Sequence, residues 1–154
     1  MPEQRNSSRR KPARNNESDQ LAQLGRLQPQ AVELEKAVIG ACIIEQDAFA
    51  MVSDFLKPQS FYESKHQVIF EAIQSLAATN APIDVLTVVE QLQKKGELEN
   101  AGGAAYIAEL SRSMLSAAHL EFHARIVAQK ALARDLISYT STIQKLAFDE
   151  GQDI

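Results

Sequence analysis

Between Ala31 and Ile44 the apolar residues Ala31, Leu34, Val38 and the Ala41–Cys42 pair recur at three- and four-residue spacing, which predicts a helix beginning just after Pro29. Gly40 sits inside that helix at a cost of about 1 kcal/mol relative to alanine, so the close approach of another helix is expected there. Asp47 reads as the N-cap of a short helix through Phe55, which Pro58 ends. From Ser64 to Ala78 the residues His66, Ile69, Phe70, Ile73, Leu76 and Ala77 share one stripe, the cleanest amphipathic helix in the chain. Asn80-Ala81-Pro82 breaks it. Asp84 then caps a helix carrying Val85, Val88, Val89 and Leu92, closed by Gly96 as its C′ residue. Those valines favour strands by type, but their spacing is helical. Gly102-Gly103 precedes a further helical stripe of Tyr106, Ile107 and Leu110.

Ser116 is positioned to cap a long helical region running to about Phe148. Leu120, Ala124, Val127 and Ala131 make one seam in it. Leu132, Leu136, Tyr139, Ile143 and Leu146 make a second, offset by one residue or roughly 100° around a helix. Either one helix changes the face it buries, or the chain turns near Lys130 and two helices pair. No strand period occurs anywhere, so the fold class is all-α.

At 154 residues, 45% of them hydrophobic, the chain suits a single core with an appended element. No apolar run approaches the roughly 18–20 residues that span a bilayer, and the amino-terminal residues lack a signal-peptide h-region. One cysteine, Cys42, excludes an internal disulfide. A cytoplasmic location with no membrane contact is expected. Residues 1–28 are rich in Arg, Asn, Ser and Gln and read as a disordered basic tail. Residues 29–154 hold ten basic and seventeen acidic side chains, an unfavourable surface for phosphates.

Catalytic signals are weak. His119 and His123 are four apart, as helical zinc ligands can be, but nothing supplies a third ligand. His66, on an apolar stripe, reads as a hydrogen-bonded core histidine, and Cys42 as inert packing. The acidic pairs Glu33/Glu35 and Glu97/Glu99 diverge on a helix and are expected on solvated faces. Glu90 with Lys94, and Glu121 with Arg125, have the order and spacing of surface pairs. No phosphate-loop motif is present, and Gly102-Gly103 lacks the following lysine. Catalytic, cofactor-binding and metal-binding residues are therefore expected to be none. The two seams, by contrast, exceed what a small head can cover, and uncovered apolar surface marks a partner.

Several short matches occur in order along the chain. They run from Pro29-x-x-x-Glu33-x-Glu35-x-x-Val38-Ile39-Gly40 through Phe61-Tyr62, His66 and Ile69-Phe70 to Pro82-x-Asp84 and Thr87-Val88. They continue with Gly96-x-Leu98-Glu99, Gly102-Gly103-x-x-Tyr106, Ser116-Ala117-Ala118, Ala124-Arg125-Ile126-Val127 and Lys130-Ala131. Over about residues 29–137 this pattern resembles the amino-terminal domain of replicative DNA helicases of the DnaB family. Leu115 stands where proline is usual, His119 where asparagine is usual, and His123 within a segment usually rich in tyrosine.

The resemblance implies an orthogonal multi-helix globular head over 29–115 and a carboxy-terminal helical hairpin over 116–154, favouring a turn near Lys130. It also implies pairing of such domains into a collar on a hexameric ring, docking of primase, and contact with a helicase loader. DNA would be engaged only indirectly. ATP and magnesium would belong to a motor domain beyond a linker, so the chain is expected to be a fragment or truncated product with no cofactor of its own. Self-association is assigned to Leu120, Val127, Leu132, Leu136 and Ile143, and partner contact to Glu33 and Tyr106. Simple core packing is the bland alternative for Tyr106. The rival functions are a stand-alone helical adaptor, a nucleic-acid binder using the basic tail, and an enzyme using the two histidines.

Overall fold

The computed structural model describes residues 28–113, 117–149 and 151, so the tail expected over 1–28 lies outside it except for Gln28, as does the expected cap Ser116. Among the described residues the elements are six α-helices and no strand: α1 Val32–Ile44, α2 Ala48–Val52, α3 Ser64–Ala78, α4 Val85–Lys94, α5 Ala104–Arg112 and α6 Leu120–Phe148. Two 3-10 turns, Pro58–Ser60 and Ala117–His119, precede α3 and α6. The all-α class is as expected.

Helix α1 is the axle. Residues Ala37 to Ile43 are buried without interruption, because α3, α5 and α6 pack around it. A helix apolar on every side must lie inside a core. Gly40 is the point of closest approach: a Cβ there would collide with the Leu110 carbonyl oxygen and lie 3.3 Å from its carbon, so α5 crosses backbone against backbone. Phe61 and Phe70 fill the space between α1 and α3 with ring centroids 4.9 Å apart.

Turn chemistry sets the corners. Asp84 accepts from the Thr87 amide at 2.8 Å, and the Thr87 hydroxyl receives the Asp84 amide at 2.9 Å, a reciprocal cap at the start of α4. Gly96 follows α4 with φ +67°, the left-handed conformation that glycine adopts without a Cβ penalty. Asp47 precedes α2, but its backbone is already near-helical and its side chain caps nothing; α2 is also shorter than expected and ends at Val52.

Among the described residues no hairpin is formed. Residues Leu120–Phe148 make one helix of 29 residues, with no turn near Lys130. The segment from Ala128 to Leu136 contains only residues compatible with a helix interior and neither glycine nor proline, so nothing interrupts the hydrogen-bond ladder. The offset between the seams is therefore a change of face along one helix. Leu120, Ala124 and Val127 enter the core, whereas Leu132, Leu136, Tyr139, Ile143 and Leu146 face outward. Arg134 is the last anchor: its guanidinium donates to the carbonyls of Pro29 at 2.8 Å and Ser60 at 3.0 Å and lies over the Tyr62 ring. No helix among the described residues is long and apolar enough to cross a membrane.

Candidate partner-binding surfaces

The outward stripe of α6 is the larger candidate. Leu132, Leu136, Tyr139, Ile143 and Leu146 alternate at spacings of four and three and are 46–64% exposed, although each is large and apolar. Towards the head the stripe runs into a groove of about 440 Å³ lined by Phe55, Phe122, Arg125, Ile126, Ala128, Gln129 and Leu132. Arg125 covers the Phe55 ring there at 5.1 Å and is held by Glu121 at 2.7 Å. Of the residues assigned to self-association, Leu120 (3% exposed) and Val127 (2%) are instead enclosed within one copy. Leu132, Leu136 and Ile143 are the three left on the surface.

The second candidate surrounds Tyr106. Glu35, expected on a solvated face, is only 1% exposed. Its position on α1 points it at the start of α3, where helical N–H groups have no intrahelical acceptor. The Tyr62 amide donates to both carboxylate oxygens at 3.0 Å, and the Glu63 amide adds a longer bond at 3.3 Å. His66 Nδ1 lies 3.1 Å from Glu35 Oε1, and its Nε2 lies 2.6 Å from the Tyr106 hydroxyl. The bland reading of His66 as a satisfied core histidine is what the fold shows. Its partner Glu35 does not stand out in the sequence, because a glutamate early in a helix equally fits a favourable contact with the macrodipole. One signal pointed the other way: Glu35 is one turn before the wholly apolar stretch Val38–Ile39–Gly40.

Tyr106 itself is half-buried. Its ring lies nearly parallel to the imidazole of His66, and the Lys65 ammonium sits 4.1 Å above its centroid. Gly102 makes this possible, since a Cβ there would come within 2.9 Å of the Tyr106 ring. Burial, followed by the carboxylates of Glu63, Glu109, Glu35 and Glu33, pushes the phenol up to about 12. Glu33 is exposed and pairs with Lys36 at 3.0 Å; their hydrogen bond, then Glu33's charge, raises the lysine above its ordinary value.

The remaining chemistry stays dispersed. Cys42 is buried, and burial pushes its thiol up to about 12. Glu97 accepts from Asn100, while Glu99 is exposed and does not converge with it. His119 ends the turn before α6 and His123 lies one turn in, with ring centroids 6.2 Å apart. Among the described residues no group of three or more His, Cys, Asp and Glu side chains is gathered to hold a metal.

Known proteins resemble this chain in sequence and in fold. A replicative DNA helicase, DnaB, of Rhodothermus marinus is 46% identical over 131 residues, covering 85% of this chain and 14% of the relative. The replicative DNA helicase DnaB of Geobacillus stearothermophilus and the replicative DNA helicase DnaC of Bacillus subtilis are each 36% identical, with 28% and 29% of their lengths covered. This chain thus spans less than a third of the curated relatives it matches. The crystal structure of the N-terminal domain of DnaB helicase from Mycobacterium tuberculosis superposes with a TM-score of 0.77 at 33% identity, covering 80% of this chain and 90% of that one. A DnaB-like replicative helicase, whose structure was described with its interactions with primase, shares the fold at a TM-score of 0.66 and 24% identity, over 75% of this chain and 27% of its own. Residues 27–129 match the model of the DnaB-like helicase N-terminal domain, and with the six-helix fold built around α1 the chain belongs to that family.

Proposed function

We propose that this chain is the non-catalytic assembly domain of a hexameric replicative DNA helicase, pairing with further copies into a collar and docking primase during DNA replication in the cytoplasm. The observation that carries the reading is the unpartnered stripe on α6. Its alternation of four and three is the spacing by which helices pack side by side. Burying an apolar side chain fully stabilises by about 1.5–3 kcal/mol, so five half-exposed ones contribute roughly 5–8 kcal/mol. In a symmetric pair both copies bury the stripe, roughly 10–16 kcal/mol in all. An association cost of about 6–8 kcal/mol leaves about 4–8 kcal/mol, which is pairing at millimolar to micromolar concentration. Family membership and the acidic surface favour protein partners over direct contact with DNA, with ATP and magnesium handled by a motor outside this chain.

Light scattering over a series from about 10 µM to 1 mM tests the reading. The parent chain is expected to move from monomer to dimer, and Leu136→Ser with Ile143→Ser to stay monomeric with unchanged helical content. A parent that stays monomeric throughout, or a double variant that pairs equally well, would refute it. Docking of primase is tested separately, by retention of purified cognate primase on the immobilised chain. Glu33→Ala and Tyr106→Phe are expected to weaken retention.

A further inference from the structure

The exposed stripe of α6 does not stop at Leu132. Gln129 and Arg125 carry its spacing of four and three back along the helix into the groove lined by Phe55 and Ile126. One line of positions therefore runs from Arg125 to Leu146, roughly 30 Å at the rise of an α-helix. Leu120, Ala124 and Val127, which fasten α6 to its own head, lie roughly 100° around the helix and leave this line open. Its two ends differ. The head end is concave and carries Arg125, whereas the far end carries exposed Leu146 and, just past the helix, exposed Asp149.

We infer that two copies pair through α6 in antiparallel orientation, each seating its Leu146 in the other's groove beside Phe55 and Ile126. The inference deepens the reading of α6 as a self-association surface and rests on it. Spacing alone permits either orientation, because the alternation reads alike in both directions. The ends decide. With one copy reversed, Leu132 meets Ile143, Leu136 meets Tyr139, and Gln129, on the groove, meets Leu146, so apolar side chains face apolar ones along the centre. Asp149 of each copy comes to the Arg125 end of the other, and the negative end of each helix dipole comes to the amino-terminal half of its neighbour. A parallel pair instead sets Arg125 against Arg125 and groove against groove, which opposes like charges and fills neither groove. Sliding the antiparallel pair seven residues towards the heads places Ile143 on Arg125. Sliding it the other way carries Leu132 past the end of the opposite helix at Phe148 and empties the groove.

Disulfide trapping of the whole chain tests the orientation. Gln129→Cys and Leu146→Cys chains are mixed at about 0.5 mM, within the expected pairing range, in a glutathione redox buffer, and the linked species are resolved by mass. Native Cys42 is buried and stays out of the exchange. The disulfide joining positions 129 and 146 is expected to exceed either like-with-like disulfide at least about tenfold, because antiparallel pairing holds the two copies of position 129 roughly 25 Å apart. Adding Leu136→Ser to both chains is expected to bring the three species to statistical proportions. Like-with-like linkage that equals or exceeds the mixed disulfide, in a chain that pairs by light scattering, overturns the antiparallel seat and leaves self-association standing. A chain that stays monomeric at that concentration overturns both.

Discussion

Replacing Glu35 with alanine removes the acceptor shared by the Tyr62 and Glu63 amides and His66 Nδ1. His66 is fully enclosed, so its stranded donor should bear the larger penalty, about 1–3 kcal/mol. The two amides lie where the chain approaches the surface, and water recovers part of their loss. Together with the small cavity left behind, the expected destabilisation is about 3–5 kcal/mol, the range for removing one member of a buried pair. Urea unfolding followed by circular dichroism at 222 nm reads this directly. With a slope of about 2 kcal/mol per molar, the midpoint should fall by about 2 M. Glu33→Ala, on the same helix but exposed, should lose no more than about 0.5 kcal/mol. Glu35→Gln keeps the shape but turns an amide toward the donors, so an intermediate loss of about 1–3 kcal/mol is expected. A Glu35→Ala midpoint within about 0.5 M of the parent would mean that the buried carboxylate holds nothing together.

Gly40→Ala gains about 1 kcal/mol of helix propensity but forces α1 from the Leu110 carbonyl, and a net loss of about 1–3 kcal/mol is expected. A melting temperature equal to or above the parent's would refute the backbone contact. Cys42 should resist thiol reagents at pH 8 and react promptly once urea unfolds the chain, because burial holds its thiol at about 12. Labelling of the native chain at the unfolded rate would contradict this. Tyr106 should lag behind exposed tyrosines in an alkaline titration at 295 nm, ionising near 12. Above the ordinary tyrosine range the folded chain then retains a proton that the unfolded chain has released, so this contribution to stability is intact below about pH 10 and is lost as pH rises through 12.

Local pattern was enough for the helices themselves. Each period of three and four became a helix, Asp84 and Gly96 took the cap and turn positions their chemistry suits, and Gly40 marked a crossing, because propensity, spacing and capping all act within a few residues. Asp47 shows the limit: residue type matched an N-cap, but the backbone it sits on points its carboxylate elsewhere. Two periods offset by one residue, likewise, are equally compatible with a bent pair and with one helix that changes face.

Which face each helix buries is set by neighbours distant in sequence. Glu35 is inside because residues 27 and 28 positions later present amides that need an acceptor, and Tyr106 belongs to the same network across 40 residues. Leu120 and Val127 are core because α1 and α2 occupy that side of α6, while among the described residues Leu132, Leu136, Tyr139, Ile143 and Leu146 lie on a face left exposed. Periodicity along the chain determined that these were helices with apolar faces. Only packing decided where each face is spent, since burial depends on the whole set of surfaces competing for it.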